Sequence, residues 1–313
     1  MTRIFISGEI PAIGYSVLQD YVVHVYHGEN VIGEGELING VKDATALLCP
    51  LSTKVSRKVI ESAPELKIIA NYGAGFDNID LEAAKENGIV VTNTPKVSTD
   101  ATAELTLGLM LGLMRRIPEG DQLCRTEGFN GWAPLFFLGR ELKGKTLGIV
   151  GFGKIGQAVA ERARAFGMNI LYTARTEKDN TLGAQYRSFD QLVEEADVLS
   201  IHTAYSDETY HLFNETTFKK MKKQAVLLNL ARGPVVHEEA LVKALKNKEI
   251  AGAALDVFEF EPHIHDELKL LPNVVLTPHI GNATVETRDE MAKLAATNII
   301  FYLEKGEALT PVI

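Results

Sequence analysis

Apolar and polar positions along the 313-residue chain follow two alternating periods. Short, nearly continuous apolar runs, the pattern of strands covered on both faces, fall near 3–7, 22–26, 45–49, 67–71 and 89–92. Between them, helical spacing predicts helices near 11–20, 54–63 and 81–87. From Lys145 a second alternation begins. Its strands are predicted near 146–150, 169–173, 197–201, 225–229, 251–255 and 274–276, and its helices near 155–166, 188–196, 215–221 and 238–247. A strand–helix alternation of this kind predicts an α/β protein with mostly parallel, doubly wound sheets. The length is too great for one comfortable core and suits two domains. A last helix, near 284–304, has no later strand to cover and is expected to return to the first domain.

Two stretches stand outside this rhythm. The helix predicted from about Thr99 to Arg116 is apolar nearly all round, with Leu105, Leu107, Leu109, Met110, Leu111, Leu113 and Met114. Such a helix is buried on several sides, as a bridge between domains or as part of an oligomer interface. Residues 128–140 gather the only Trp and three Phe into an irregular segment. They are expected either under the chain's own helices or against another subunit.

Composition narrows the function classes. Apolar residues make up 46% and charged residues 23%, as in ordinary globular proteins, and the net charge of −9 disfavours nucleic acid or an anionic membrane as partner. The two cysteines, Cys49 and Cys124, suggest neither a disulfide framework nor a thiolate metal site. The stretch Arg3-Ile4-Phe5-Ile6-Ser7 reads as a strand rather than a signal peptide, and Leu105–Met114 is too short to span a bilayer. A cytoplasmic protein is expected.

The first chemical motif is Gly148-Ile149-Val150-Gly151-Phe152-Gly153-Lys154-Ile155-Gly156. An apolar strand ends in glycines at G-x-G-x-x-G spacing, and a helical run follows with Ile155, Val159, Ala163 and Phe166 on one face and Gly167 to stop it. Strand, tight turn and helix in that order are the context a dinucleotide-binding fingerprint requires. Gly151 permits the turn, Gly153 lets N–H groups approach a pyrophosphate, and Gly156 lets helix pack on strand. Lys154 and Ile155 open a helix whose N-terminus favours an anion.

In open α/β sheets ligands sit beyond the carboxyl ends of strands. There the chain carries Tyr72-Gly73-Ala74-Gly75-Phe76-Asp77, Leu230-Ala231-Arg232-Gly233, Asp256 with Glu259 and Glu261-Pro262, and Thr277-Pro278-His279-Ile280-Gly281. An Arg, a Glu and a His on one rim would make an anion clamp, an orienting carboxylate and a general acid/base. Beside a dinucleotide turn they point to hydride transfer at a carbon next to a carboxylate.

These motifs, in this order, give the chain a resemblance to the D-isomer-specific 2-hydroxyacid dehydrogenases over essentially its whole length. It rests on Asn71 to Asp80, Leu147 to Gly156, Asn229 to Gly233, Ala254 to Phe258 with Glu261-Pro262, and Leu276 to Gly281. The resemblance implies a flavodoxin-like substrate domain, residues 1–98 plus 286–313, and a Rossmann cofactor domain, 99–285, inserted between the two long helices. It implies that Arg232 holds the substrate carboxylate and carbonyl, Glu261 orients the imidazole, and His279 transfers the proton. It places the carboxylate on the backbone at Ala74 and Gly75, with Thr102 and Asp256 near the nicotinamide. His202, Thr203, Leu230, Ala231 and Gly281 complete the expected cofactor contacts. The chain departs from the family pattern in Ile201-His202-Thr203-Ala204-Tyr205, where relatives commonly have Pro, and at Asn282, where they have Ser.

The expected activity is reduction of a small 2-keto acid, of the glyoxylate/hydroxypyruvate type, by a homodimer. A D-lactate-type or broad 2-ketoacid dehydrogenase is the alternative. A phosphoglycerate dehydrogenase is disfavoured because the chain ends at Ile313 without a regulatory tail. A nicotinamide-sensing corepressor is disfavoured because Arg232, Glu261 and His279 occur together. Where an NAD-specific relative carries Asp, this chain has Ala174, followed by Arg175 and Thr176. That predicts NADP over NAD, since a 2′-phosphate is repelled by Asp and held by Arg. His263-x-His265 with Asp266 lacks further ligands and reads as a solvated loop, so no metal is expected.

Overall fold

A computed structural model of the chain describes residues 2–179, 181 and 183–313. They form two compact units: residues up to Ser98 together with Asn282–Ile313, and Thr99–Gly281.

The first unit holds strands β1 (Arg3–Ile6), β2 (Val22–Val25), β3 (Ala46–Pro50), β4 (Ile68–Tyr72) and β5 (Val90–Thr92) and helices α1 (Ala12–Val17), α2 (Glu34–Val41), α3 (Arg57–Glu61) and α4 (Leu81–Glu86). The strands pair in parallel in the order β2-β1-β3-β4-β5, the flavodoxin-like winding. On one sheet face Leu37, Val41, Leu47, Val59 and Ile69 make a core; on the other, Ile4, Ile6, Leu48 and Ile68 pack with Met291, Ala295 and Ile299 of the last long helix. That helix runs Val285–Lys305, so the return to the first unit is as expected.

Helix α2 has no strong sequence signal, because Gly35 and Gly40 lower its propensity. Packing overrides propensity there. Leu37 and Val41 are buried one turn apart, and the Glu36 carboxylate accepts the Gly33 N–H at 3.2 Å. Gly40 is required, since a Cβ would fall 2.2 Å from the Phe5 ring.

The second unit opens with α5 (Thr99–Met114) and α6 (Ile117–Thr126). Its sheet is built from β6 (Thr146–Val150), β7 (Asn169–Thr173), β8 (Gln185–Tyr186), β9 (Val198–Ile201), β10 (Val226–Asn229), β11 (Gly252–Leu255) and β12 (Val274–Leu276). Helices α7 (Lys154–Ala165), α8 (Phe189–Glu195), α9 (Glu215–Lys220) and α10 (Glu238–Lys246) connect them, and Val285–Lys305 is α11. The seven parallel strands run β12-β11-β10-β9-β6-β7-β8, so the order reverses at β6. Ligands bind at such a switch point.

Helix α5 packs along α7, with Thr106, Leu107, Leu109, Met110 and Met114 buried. Phe166 departs from the predicted apolar face of α7. The helix ends at Ala165, Phe166 is its C-cap and is exposed, and Gly167 follows at φ +73°. Strand β8 and helix α6 were not foreseen; α6 has no buried residue, so it shows no core-facing stripe. Of the two readings of the aromatic segment, burial under the chain's own helices is overturned. Trp132 is 87% exposed and Leu135 85%, and Phe129, Phe136 and Leu138 also face outward.

Candidate active site

Strand β6 runs straight into Gly151, whose φ of +93° is rarely open to other residues. A Cβ there would also fall 2.6 Å from the backbone of His202 and Thr203. At Gly156 a Cβ would fall 2.3 Å from the Gly151 carbonyl, so the helix could not lie so close to the turn. Gly153, the N-cap of α7, is the opposite case. Nothing stands within 4 Å of a Cβ there, which leaves an open cradle before the N–H groups of Lys154 and Ile155. A pyrophosphate fits that combination of free donors and positive helix end. Ala174 follows β7 half-buried, and Arg175 and Thr176 are exposed. Among the described residues Arg175 forms no ion pair and no carboxylate occupies position 174. The His202 ring does not face outward. Its Nε2 is 2.8 Å from Ser200 Oγ, its Nδ1 has no partner among the described residues, and burial pushes its pKa down to about 3.

Arg232, Glu261 and His279 follow the carboxyl ends of the adjacent strands β10, β11 and β12. Asn229, buried at the end of β10, ties the arginine loop. Its Nδ2 donates to the Arg232 carbonyl at 3.0 Å and its Oδ1 accepts the Ala231 N–H at 3.1 Å. Leu230 is buried beneath this turn. Glu261 Oε2 lies 2.9 Å from His279 Nδ1, and both side chains are 37% exposed. Glu261 Oε1 accepts the Phe258 N–H at 3.0 Å, so the carboxylate is aimed by its own loop. Burial pushes the Glu261 carboxyl up. The hydrogen bond and charge of His279, the Phe258 N–H and the Arg232 charge outweigh it and hold the group below the usual carboxylate range.

His279 itself sits in the left-handed region at φ +52°, a strained place for a residue with a side chain. Asp256 holds it there. Buried at the end of β11, Asp256 accepts from Thr277 Oγ1 at 2.7 Å and from the N–H groups of Ile280 and Gly281, each at 2.8 Å. Thr102 on α5 adds a bond from its hydroxyl to the Gly281 carbonyl at 3.1 Å. Both residues thus brace the turn that presents the imidazole.

In the first unit, the loop after β4 turns its carbonyls inward. Asn71 Nδ2 donates to the Gly75 carbonyl at 2.5 Å, Asn93 Nδ2 to that of Ala74 at 2.7 Å, and the Thr94 N–H to that of Gly73 at 2.9 Å. The N–H groups of Ala74 and Gly75 meet no acceptor among the described residues. They are donors a carboxylate could take up. Sequence reasoning missed Asn71, Asn93 and Asn229. An Asn closing an apolar strand before a glycine-rich loop was the available signal, since its amide can bond both sides of a turn. His265 lies against Glu239 at 3.2 Å, and among the described residues no three His, Cys, Asp or Glu are placed to hold a metal ion. Among the described residues no helix is long and apolar enough to cross a membrane.

Residues 107–281 match the family model for the NAD-binding domain of D-isomer-specific 2-hydroxyacid dehydrogenases. A Staphylococcus aureus protein (strain MRSA252) named as a 2-hydroxyacid dehydrogenase is 57% identical over 304 residues, 96% of either chain. Among solved structures, a glyoxylate reductase from Paecilomyes thermophila is 36% identical, with a TM-score of 0.90 over 99% of this chain and 98% of that one. An NADPH-dependent glyoxylate/hydroxypyruvate reductase from Sinorhizobium meliloti, solved with NADP and malonate, is 34% identical, with a TM-score of 0.87 over 99% and 96%. With two parallel-sheet domains, an open glycine turn and a carboxylate-backed histidine, the chain belongs to the D-isomer-specific 2-hydroxyacid dehydrogenases, which are NAD-binding oxidoreductases.

Proposed function

We propose that the protein reduces a small 2-keto acid of the glyoxylate or hydroxypyruvate type to the D-2-hydroxy acid, with NADPH preferred over NADH. The observation that carries this reading is the Glu261–His279 pair, 2.9 Å apart, beside the charge of Arg232. When bound, the reduced nicotinamide supplies a hydride to the ketone carbon. Arg232 holds the substrate carboxylate and polarises the carbonyl, as a guanidinium does for planar anions. In the first unit, the N–H groups of Ala74 and Gly75 are donors suited to a carboxylate. His279, oriented by its hydrogen bond to Glu261, gives its proton to the oxygen as negative charge develops there.

The open cradle at Gly153 supports a bound pyrophosphate, and Ala174 with exposed Arg175 supports a 2′-phosphate. We assign residues 1–98 plus 286–313 to the substrate and 99–285 to the cofactor. A homodimer through the second unit accords with the outward-facing aromatic segment. A cytoplasmic location accords with two unpaired cysteines. Steady-state assays of glyoxylate and hydroxypyruvate with NADPH and NADH test the reading. Turnover of at least one acid is expected, faster with NADPH; no turnover with either nucleotide would refute it.

A further inference from the structure

A second carboxylate in the Glu261 loop points the other way. Glu259 is only 5% exposed, and it is locked to Glu238, itself 3% exposed, at the start of α10. Each donates its N–H to the other's side chain: Glu238 N–H to Glu259 Oε2 at 2.9 Å, and Glu259 N–H to Glu238 Oε1 at 2.8 Å. His211 closes the group, with Nε2 at 2.6 Å from Glu259 Oε1. Its backbone is held at φ +48°, and its ring is stacked between Tyr210 and His237.

Two acids do not share a buried site without a reason. Burial pushes the Glu238 carboxyl up and the Glu259 charge adds to this, while the N–H groups of Glu259 and His265 oppose it. Two carboxyl groups and one imidazole are a costly way to fill a buried space, where apolar residues of similar volume often serve stability as well or better. What the group joins is specific. The 211–213 segment bonds the backbone of 234–237 through His211 N–H to Pro234, Phe213 N–H to Val235 and His237 N–H to Phe213. The same stretch begins at Arg232-Gly233, and Gly233 has no room for a Cβ, which would fall 1.8 Å from the Phe258 carbonyl. The loops bearing Arg232 and Glu261 therefore lie backbone against backbone, and the Glu238–Glu259–His211 group fastens them. Phe258, whose N–H aims Glu261, directly precedes Glu259.

We propose that Glu259 is a positioning residue: its reciprocal bonds with Glu238, closed by His211, set the loop so that Glu261 reaches His279. This deepens the proposed mechanism and rests on the assigned Glu261–His279 pair. The groups around Glu259 are Tyr210 and His211 before α9, His237 and Glu238 at α10, and Glu261 and His265 in its own loop. Glu259 touches no reacting atom and acts through Glu261. Since a misplacement of about 1 Å can cost roughly 10²-fold, Glu259→Ala should lower kcat by about 10- to 100-fold. It should also leave nucleotide binding within about twofold, because the glycine turn is elsewhere in the sheet.

The discriminating readout is coupling to Glu261. In keto-acid reduction, Glu259→Ala should move the alkaline limb of kcat to lower pH, in the same direction as Glu261→Gln but by less, because the Glu261 carboxylate is displaced rather than removed. In a Glu261→Gln background the same substitution should leave the limb where Glu261→Gln puts it. Glu259→Gln retains an acceptor for the Glu238 N–H and should recover most of the loss. Where the alanine variant does not fold, Glu259→Asp retracts the carboxylate by one methylene and is read in the same way. An unmoved limb, or an equal further displacement in the Glu261→Gln background, would overturn the proposal. So would a glutamine variant as impaired as the alanine one. NMR titration of the His279 ring in the substrate-free holoenzyme reads the same coupling without turnover, so the clamp can fail or stand independently of the reaction assigned to the site.

Discussion

At the residue scale the account turns on what one carboxylate does for one imidazole. The Glu261 carboxyl is held low against the opposing effect of burial, and the hydrogen bond from His279 leads the groups that hold it there. In Glu261→Gln a neutral amide replaces the carboxylate that faces the ring. In the proposed mechanism reduction uses the protonated ring, so the alkaline limb of the reductive rate should move to lower pH when that carboxylate is lost. A pH profile of kcat checks this; a limb that stays in place would mean the carboxylate does not act on the ring. The placement of Arg232, Glu261 and His279 was legible in the sequence, because residues after consecutive strands of a parallel sheet must emerge on one rim. The strained φ at His279 was not legible. It depends on Asp256, whose three bonds to the 277–281 turn come from a different strand, and no local pattern announces such a contact.

Among the elements, the β6–α7 turn and β7 fix the cofactor side. The glycine spacing was readable because each glycine answers a separate steric demand: the turn at 151, open space at 153, close packing at 156. We propose that the end of β7 decides between nucleotides. With Ala174 half-buried and Arg175 exposed, kcat/KM should favour NADPH. Ala174→Asp should shift the preference toward NADH, because a carboxylate binds the 2′-hydroxyl and repels the 2′-phosphate. Arg175→Ala should raise KM for NADPH selectively, by roughly 10-fold for a charged hydrogen bond of about 1.5–3 kcal/mol partly shared with water. Equal or better activity of the unaltered protein with NADH would remove this assignment. Helices α2 and α6 escaped sequence reading for opposite reasons. In α2 two glycines masked a helix that Phe5 and the sheet hold in place, whereas α6 buries nothing and so lacks a one-sided apolar stripe.

For the whole molecule, the second unit leaves Phe129, Trp132, Leu135, Phe136 and Leu138 facing outward from one segment, with Ile117 of α6 also exposed. A patch of large apolar side chains of this size is uncommon on a monomer. We expect a two-fold homodimer at micromolar concentration, the commonest closed assembly, and a dimeric mass by light scattering. Charge substitutions at Trp132 and Leu135 should yield monomers; a monomeric mass for the unaltered protein would refute the dimer. The reaction itself belongs to the molecule as a whole, and its central claim is that His279 supplies the proton. The most direct measurement is kcat for glyoxylate reduction with NADPH in the unaltered protein and in His279→Gln, alongside the Kd for NADPH. The expected result is a fall in kcat of roughly 10²–10⁴-fold, the worth of a positioned acid, with the Kd nearly unchanged. A His279→Gln variant that keeps near-normal kcat would contradict it.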